Sequence, residues 1–145
     1  MSIMDRFRKR NEKFARDFDK GDKTLPPAQR LVVLTCMDAR LHPETFLGLD
    51  IGDAHVIRNA GGRASDDALR SLIISSRLLG TEEYARHRQG RLQHGLLPFS
   101  DVEESVRDDV RRIRDDPFIP EGVEVSGWVY DVKNGKVREV VPPGR

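Results

Sequence analysis

A chain of 145 residues, 37% hydrophobic and 34% charged, has material for one compact domain and too little for two independent cores. With 25 Lys and Arg against 24 Asp and Glu, its formal charge of +1 gives no global field that would direct it to nucleic acid or an anionic membrane. No stretch reaches the roughly 20 apolar residues of a membrane span, and the first residues hold no signal-like apolar core, so the expectation is a cytoplasmic protein without a membrane partner.

Residues 4–20 set Met4, Phe7, Phe14 and Phe18 at helical spacing among charges, with Gly21 as a stop, which predicts an amphipathic helix within an N-terminal arm over 1–24. After Pro26-Pro27, the continuous apolar run Leu31-Val32-Val33-Leu34-Thr35 suits a strand buried on both faces of a parallel sheet. Pro43 can open a short helix through Leu47, and Ala54-His55-Val56-Ile57-Arg58 reads as a second strand before the Gly61-Gly62 turn. Ser65 can cap a helix that presents Leu69, Leu72, Ile73 and Leu79 on one side and stops at Gly80. From Tyr84 the sequence carries neither β-branched residues nor an apolar stripe, and 84–97 is read as a loop.

Order returns with Ser100 and Glu103, a capping-box pair, opening a helix whose Val102, Val106, Val110 and Ile113 share a face. Its acid-rich remainder, between Asp101 and Asp116, reads as the solvated outer side. Residues 123–130 alternate as a strand, and Asn134-Gly135 signals a hairpin into Val137-Arg138-Glu139-Val140-Val141. The pattern is α/β, a single domain over 1–145 with a parallel-sheet core, flanking helices and a C-terminal hairpin. Ligands in such sheets bind beyond the carboxyl ends of strands, which is where Cys36 falls.

Cys36 is the only cysteine, so no intrachain disulfide can form and the thiol is left for chemistry, for metal or for packing. In Cys36-Met37-Asp38-Ala39-Arg40, alternate residues leaving a buried strand can converge on one pocket. A thiolate is a good zinc ligand, and a carboxylate two residues on could bind the same ion or a water on it. Arg40 could hold Asp38 in a bidentate pair that orients the carboxylate and keeps it ionised. The competing reading is a buried apolar thiol beside a loop ion pair.

That segment, followed by His55-Val56-Ile57-Arg58-Asn59-Ala60-Gly61-Gly62, a Leu/Ile-rich helix and Gly80-Thr81, resembles the β-class carbonic anhydrase family in order and spacing. Pro98-Phe99-Ser100-Asp101 and Gly127-Trp128-Val129-Tyr130-Asp131 resemble its C-terminal part. The resemblance implies a zinc lyase that reversibly hydrates carbon dioxide to bicarbonate, in an α/β fold assembled as a homodimer or higher homo-oligomer. It implies Cys36 as a zinc ligand and Asp38 and Arg40 as a catalytic dyad, in which Asp38 binds zinc only when it leaves Arg40.

The family continues after Gly-Thr with a hydrophobic strand ending in His-x-x-Cys, which supplies two more ligands. Here Tyr84-Ala85-Arg86-His87-Arg88 stands instead, and no second cysteine exists. The strand and its ligands read as cut out, which predicts impaired hydration or, alternatively, a zinc-free module for dimerisation or small-anion binding. His94 is the first candidate substitute ligand and His87 the second, weighed against solvated loop histidines; His42 and His55 have no assigned role. Arg86, Arg88 and Arg91, in a stretch without acidic residues, could form an anion or RNA patch. With Tyr84 the only aromatic close to them, no nucleic-acid partner is expected.

Overall fold

A computed structural model describes residues 1–89 and 102–145. Its elements run α1 (Ile3–Arg16), β1 (Leu31–Cys36), α2 (Pro43–Phe46), β2 (Ala54–Asn59), a 3-10 turn (Ala60–Gly62), α3 (Asp66–Leu79), β3 (Glu83–Gln89), α4 (Val102–Arg114), β4 (Glu124–Tyr130) and β5 (Val137–Val141). The five strands form one sheet in the order β2-β1-β3-β4-β5, parallel except for β5, which pairs antiparallel with β4. Chain order reverses at β1, which has β2 on one side and β3 on the other, so its carboxyl end opens onto the crevice where such sheets bind ligands.

Local chemistry sets most boundaries where the sequence implies them. Ser65 Oγ accepts from the Ala68 amide to cap α3, and Gly80 ends the helix in the left-handed conformation at φ 70°. Helix α1 is shorter than residues 4–20, closing at Arg16 on an Asp17 cap, and a Ser2–Asp5 capping box opens it. The proposed cap of α4 at Ser100 lies outside the described residues.

The stretch expected as a loop from Tyr84 is instead the central strand of the sheet over Glu83–Gln89, paired with β1 on one edge and β4 on the other. Over Glu83–Arg86 it pairs on both sides and from His87 to Gln89 with β4, a stronger constraint than the weak strand propensity of its residues. Tyr84 is buried and donates its hydroxyl to the Leu72 carbonyl. Arg86, fully buried, is neutralised by Asp109 of α4 at 2.6 Å. The strand is therefore present, and only its residue types depart from the apolar pattern.

One sheet face carries the core. Val32, Leu34, Tyr84 and Val125 pack with Ala68, Leu69 and Leu72 of α3 and Val106, Val110 and Ile113 of α4. Helix α4 lies directly on the β4 backbone, since a Cβ on Gly127 would fall 2.5 Å from a Val106 methyl. Among the described residues no helix is long and apolar enough to cross a membrane.

Candidate functional site

Cys36 ends β1 with 6% of its surface exposed, grouped with Leu41, Tyr130, Phe46 and Val132. The ladder to β2 extends one residue further through the Met37 amide, which donates to the Asn59 carbonyl at 2.9 Å. The chain then turns, with the Leu41 amide donating back to the Asp38 carbonyl at 2.9 Å. Gly62, at φ 60°, sits against this strand end: a Cβ there would lie 2.8 Å from the Thr35 carbonyl carbon and 3.1 Å from the His87 carbonyl oxygen. Only glycine fits both that conformation and that approach.

Asp38 and Arg40 meet as a bidentate pair. Arg40 donates Nη2 to Oδ2 at 2.8 Å and Nε to Oδ1 at 3.1 Å, and its backbone amide reaches Oδ1 at 2.9 Å. The hydrogen bond to Asp38 and the carboxylate's charge raise the Arg40 pKa above its ordinary value. Arg58, on β2, donates Nε to the Cys36 carbonyl at 3.2 Å and Nη2 to the Asp38 and Leu41 carbonyls at 2.8 and 2.9 Å.

His87 does not join this group. It is buried on β3, its ring edge-on to Phe46 at 5.8 Å and stacked with Trp128 at 6.1 Å between centroids. Burial first, and the Arg86 charge second, push its pKa down to about 4, which keeps the ring neutral. His94 and Arg91 lie outside the described residues. His55 Nδ1 is 2.7 Å from Ser75 Oγ, and His42 Nδ1 is 2.8 Å from Thr45 Oγ1. Among the described residues there is no group of three or more His, Cys, Asp or Glu able to hold a metal ion. Among the described residues, the one thiol and the one carboxylate engaged by arginine do not by themselves fit a catalytic zinc, which takes three protein ligands.

Arg86 belongs to no exposed basic patch; it is interior. Asp109, on the helix face read as solvated, is 2% exposed and receives Arg86 Nη2, Arg63 Nε at 3.0 Å and the Ala64 amide at 3.3 Å. This carboxylate ties α4 to β3 and to the chain just after Gly62. The sequence shows Asp109 three residues after Val106 and one before Val110, so its place beside the apolar stripe was the available signal.

The carbonic anhydrase family profile matches residues 31–93. β-Carbonic anhydrase 1 of Mycobacterium tuberculosis is 38% identical over an alignment of 164 positions that covers 98% of this chain and 100% of the relative. That alignment is longer than the 145 residues here, so the relative carries positions with no counterpart in this chain. A carbon disulfide hydrolase of Acidithiobacillus thiooxidans is 31% identical, covering 79% of this chain and 78% of the relative. Among solved structures, carbonic anhydrase from Streptococcus mutans superposes with a TM-score of 0.88 at 39% identity, covering 97% of this chain and 98% of that one.

Proposed function

Because the chain belongs to the β-carbonic anhydrase family, we propose that its site at the carboxyl end of β1 retains the family's carbon dioxide/bicarbonate specificity while zinc-dependent hydration is impaired. The observation that carries this reading is the Asp38–Arg40 pair, intact and bidentate beside a single cysteine, with no three-ligand cluster among the described residues. The family's zinc would supply an ionised water as the nucleophile. Cys36 and Asp38 are the residues that would face the metal, and Asp38 could do so only by giving up Arg40. The roles left to this chain's own residues are narrower: Arg40 holds the Asp38 carboxylate in one orientation and offers an exposed guanidinium edge to a small anion, and Cys36 lies buried at the strand end just before them.

The test is zinc content of the desalted protein, purified without chelator and supplied with zinc, alongside stopped-flow hydration of carbon dioxide. Well under one zinc per chain is expected, with turnover no faster than that of Cys36→Ser. Stoichiometric zinc together with Cys36-dependent turnover would overturn the reading and point to His94 as the replacement ligand. A second reading, a zinc-free module that dimerises or binds a small anion, is favoured by the exposed apolar residues along α1.

A further inference from the structure

Cys36, Asp38 and Arg40 are carried on one short segment, and a side chain from the neighbouring strand holds its backbone. The segment leaves the sheet at Cys36, and its carbonyls at Cys36, Asp38 and Leu41 turn toward one spot, on which Arg58 is centred. Asp38 and Leu41 are the two ends of the turn closed by the Leu41 amide, so one guanidinium nitrogen bridges both ends while Nε holds the strand end before it. Arg58 is itself fixed in β2, in register with Thr35 of β1, one residue before the site begins.

We propose that Arg58 is a positioning residue, whose guanidinium sets the backbone of 36–41 so that Asp38 meets Arg40 in the bidentate geometry; the proposal rests on that pair being the functional site. Three converging carbonyl dipoles need a cation with several donors in one plane, and the guanidinium fork supplies Nε and Nη2 along one edge. A lysine offers a point charge on a flexible stem and cannot span the same three acceptors at fixed angles. Without the cation, carbonyls aimed at a common point repel one another, and the turn opens by rotating its peptide planes. Asp38 then swings relative to Arg40, because its Oδ1 is also held by the Arg40 amide within that same turn.

The experiment uses the full chain without metal, so its readouts do not depend on zinc or on turnover, and failure of the functional reading stays separate from failure of this one. Arg58→Met, Arg58→Ala and Arg58→Lys are compared with the parent by circular dichroism, by the NMR signal and exchange rate of Arg40 Nε–H, and by the alkylation rate of Cys36. Folded Arg58→Met should lose protection at Arg40 Nε–H and alkylate at least tenfold faster. In Arg58→Ala, whose truncated side chain leaves room for it, millimolar guanidinium should restore both, and Arg58→Lys should retain them only in part. A purely structural role would lower stability without guanidinium-dependent recovery of the Arg40 signal. Folded Arg58→Met with parental Arg40 protection and alkylation would overturn the proposal. Should the variants fail to fold, exchange in the parent decides: Arg58 Nε–H exchanging as fast as that of exposed Arg8 overturns it, and protection sustains it.

Discussion

His87 shows how one buried side chain sets a pH dependence for the whole fold. Its folded pKa of about 4 lies below the ordinary value of 6.5, because burial and the Arg86 charge both disfavour the imidazolium. Above pH 6.5 both folded and unfolded chains hold a neutral ring, and His87 adds no pH dependence. As pH falls from 6.5 toward 4, the unfolded chain binds a proton that the native state refuses, so stability is lost across that window and the loss levels off below it. At pH 5 the difference amounts to about 2 kcal/mol by linkage. Urea unfolding at pH 7.5 and pH 5 should therefore show a drop in stability that is smaller by about that amount in His87→Phe. An identical drop in both proteins would place the titrating group elsewhere.

At the scale of elements, β1, β2, α3 and the C-terminal hairpin could be read from the sequence because their local signals agree with their surroundings: an apolar run, a serine cap, a left-handed glycine, an Asn-Gly turn. Strand β3 could not, because the residues that make it interior are Arg86 and His87, and what allows an arginine there is a carboxylate on α4, more than twenty residues away. The Asp38–Arg40 ion pair was legible as a motif. Arg58 falls within the same motif, but its role is invisible there, since its bonds go to backbone carbonyls, which no side-chain pattern records. The cross-element tie gives a prediction. Asp109→Ala leaves Arg86 buried without its carboxylate and should cost about 3–5 kcal/mol. Arg86→Met combined with Asp109→Ala should cost less than the sum of the two single changes by at least about 1.5 kcal/mol. Simple additivity in denaturant unfolding would show that the pair is not what couples β3 to α4.

For the molecule as a whole, the homo-oligomer that the resemblance implies gains no support from an unpaired edge in mid-sheet, since β3 fills that place. It rests on α1 instead. No residue of this helix is buried, and Ile3, Met4, Phe7 and Phe14 are between 49% and 57% exposed. Phe14 meets Phe18, itself 44% exposed, in a tilted ring contact at 5.3 Å between centroids. A helix of 14 residues is marginal alone in water, and its capping box adds only on the order of 1 kcal/mol, so a stable α1 needs a surface to lie on. Burying one phenylalanine yields about 1.5–3 kcal/mol, enough for several such rings to hold two copies together at micromolar concentration. The protein should therefore elute as a homodimer or larger homo-oligomer in size-exclusion chromatography with light scattering. Phe7→Ser with Phe14→Ser should shift it to monomer, raising the dissociation constant by well over tenfold while the sheet's circular dichroism persists. A parent chain that remains monomeric across the concentration range, with α1 still helical, would show that the helix is held by something other than a second copy.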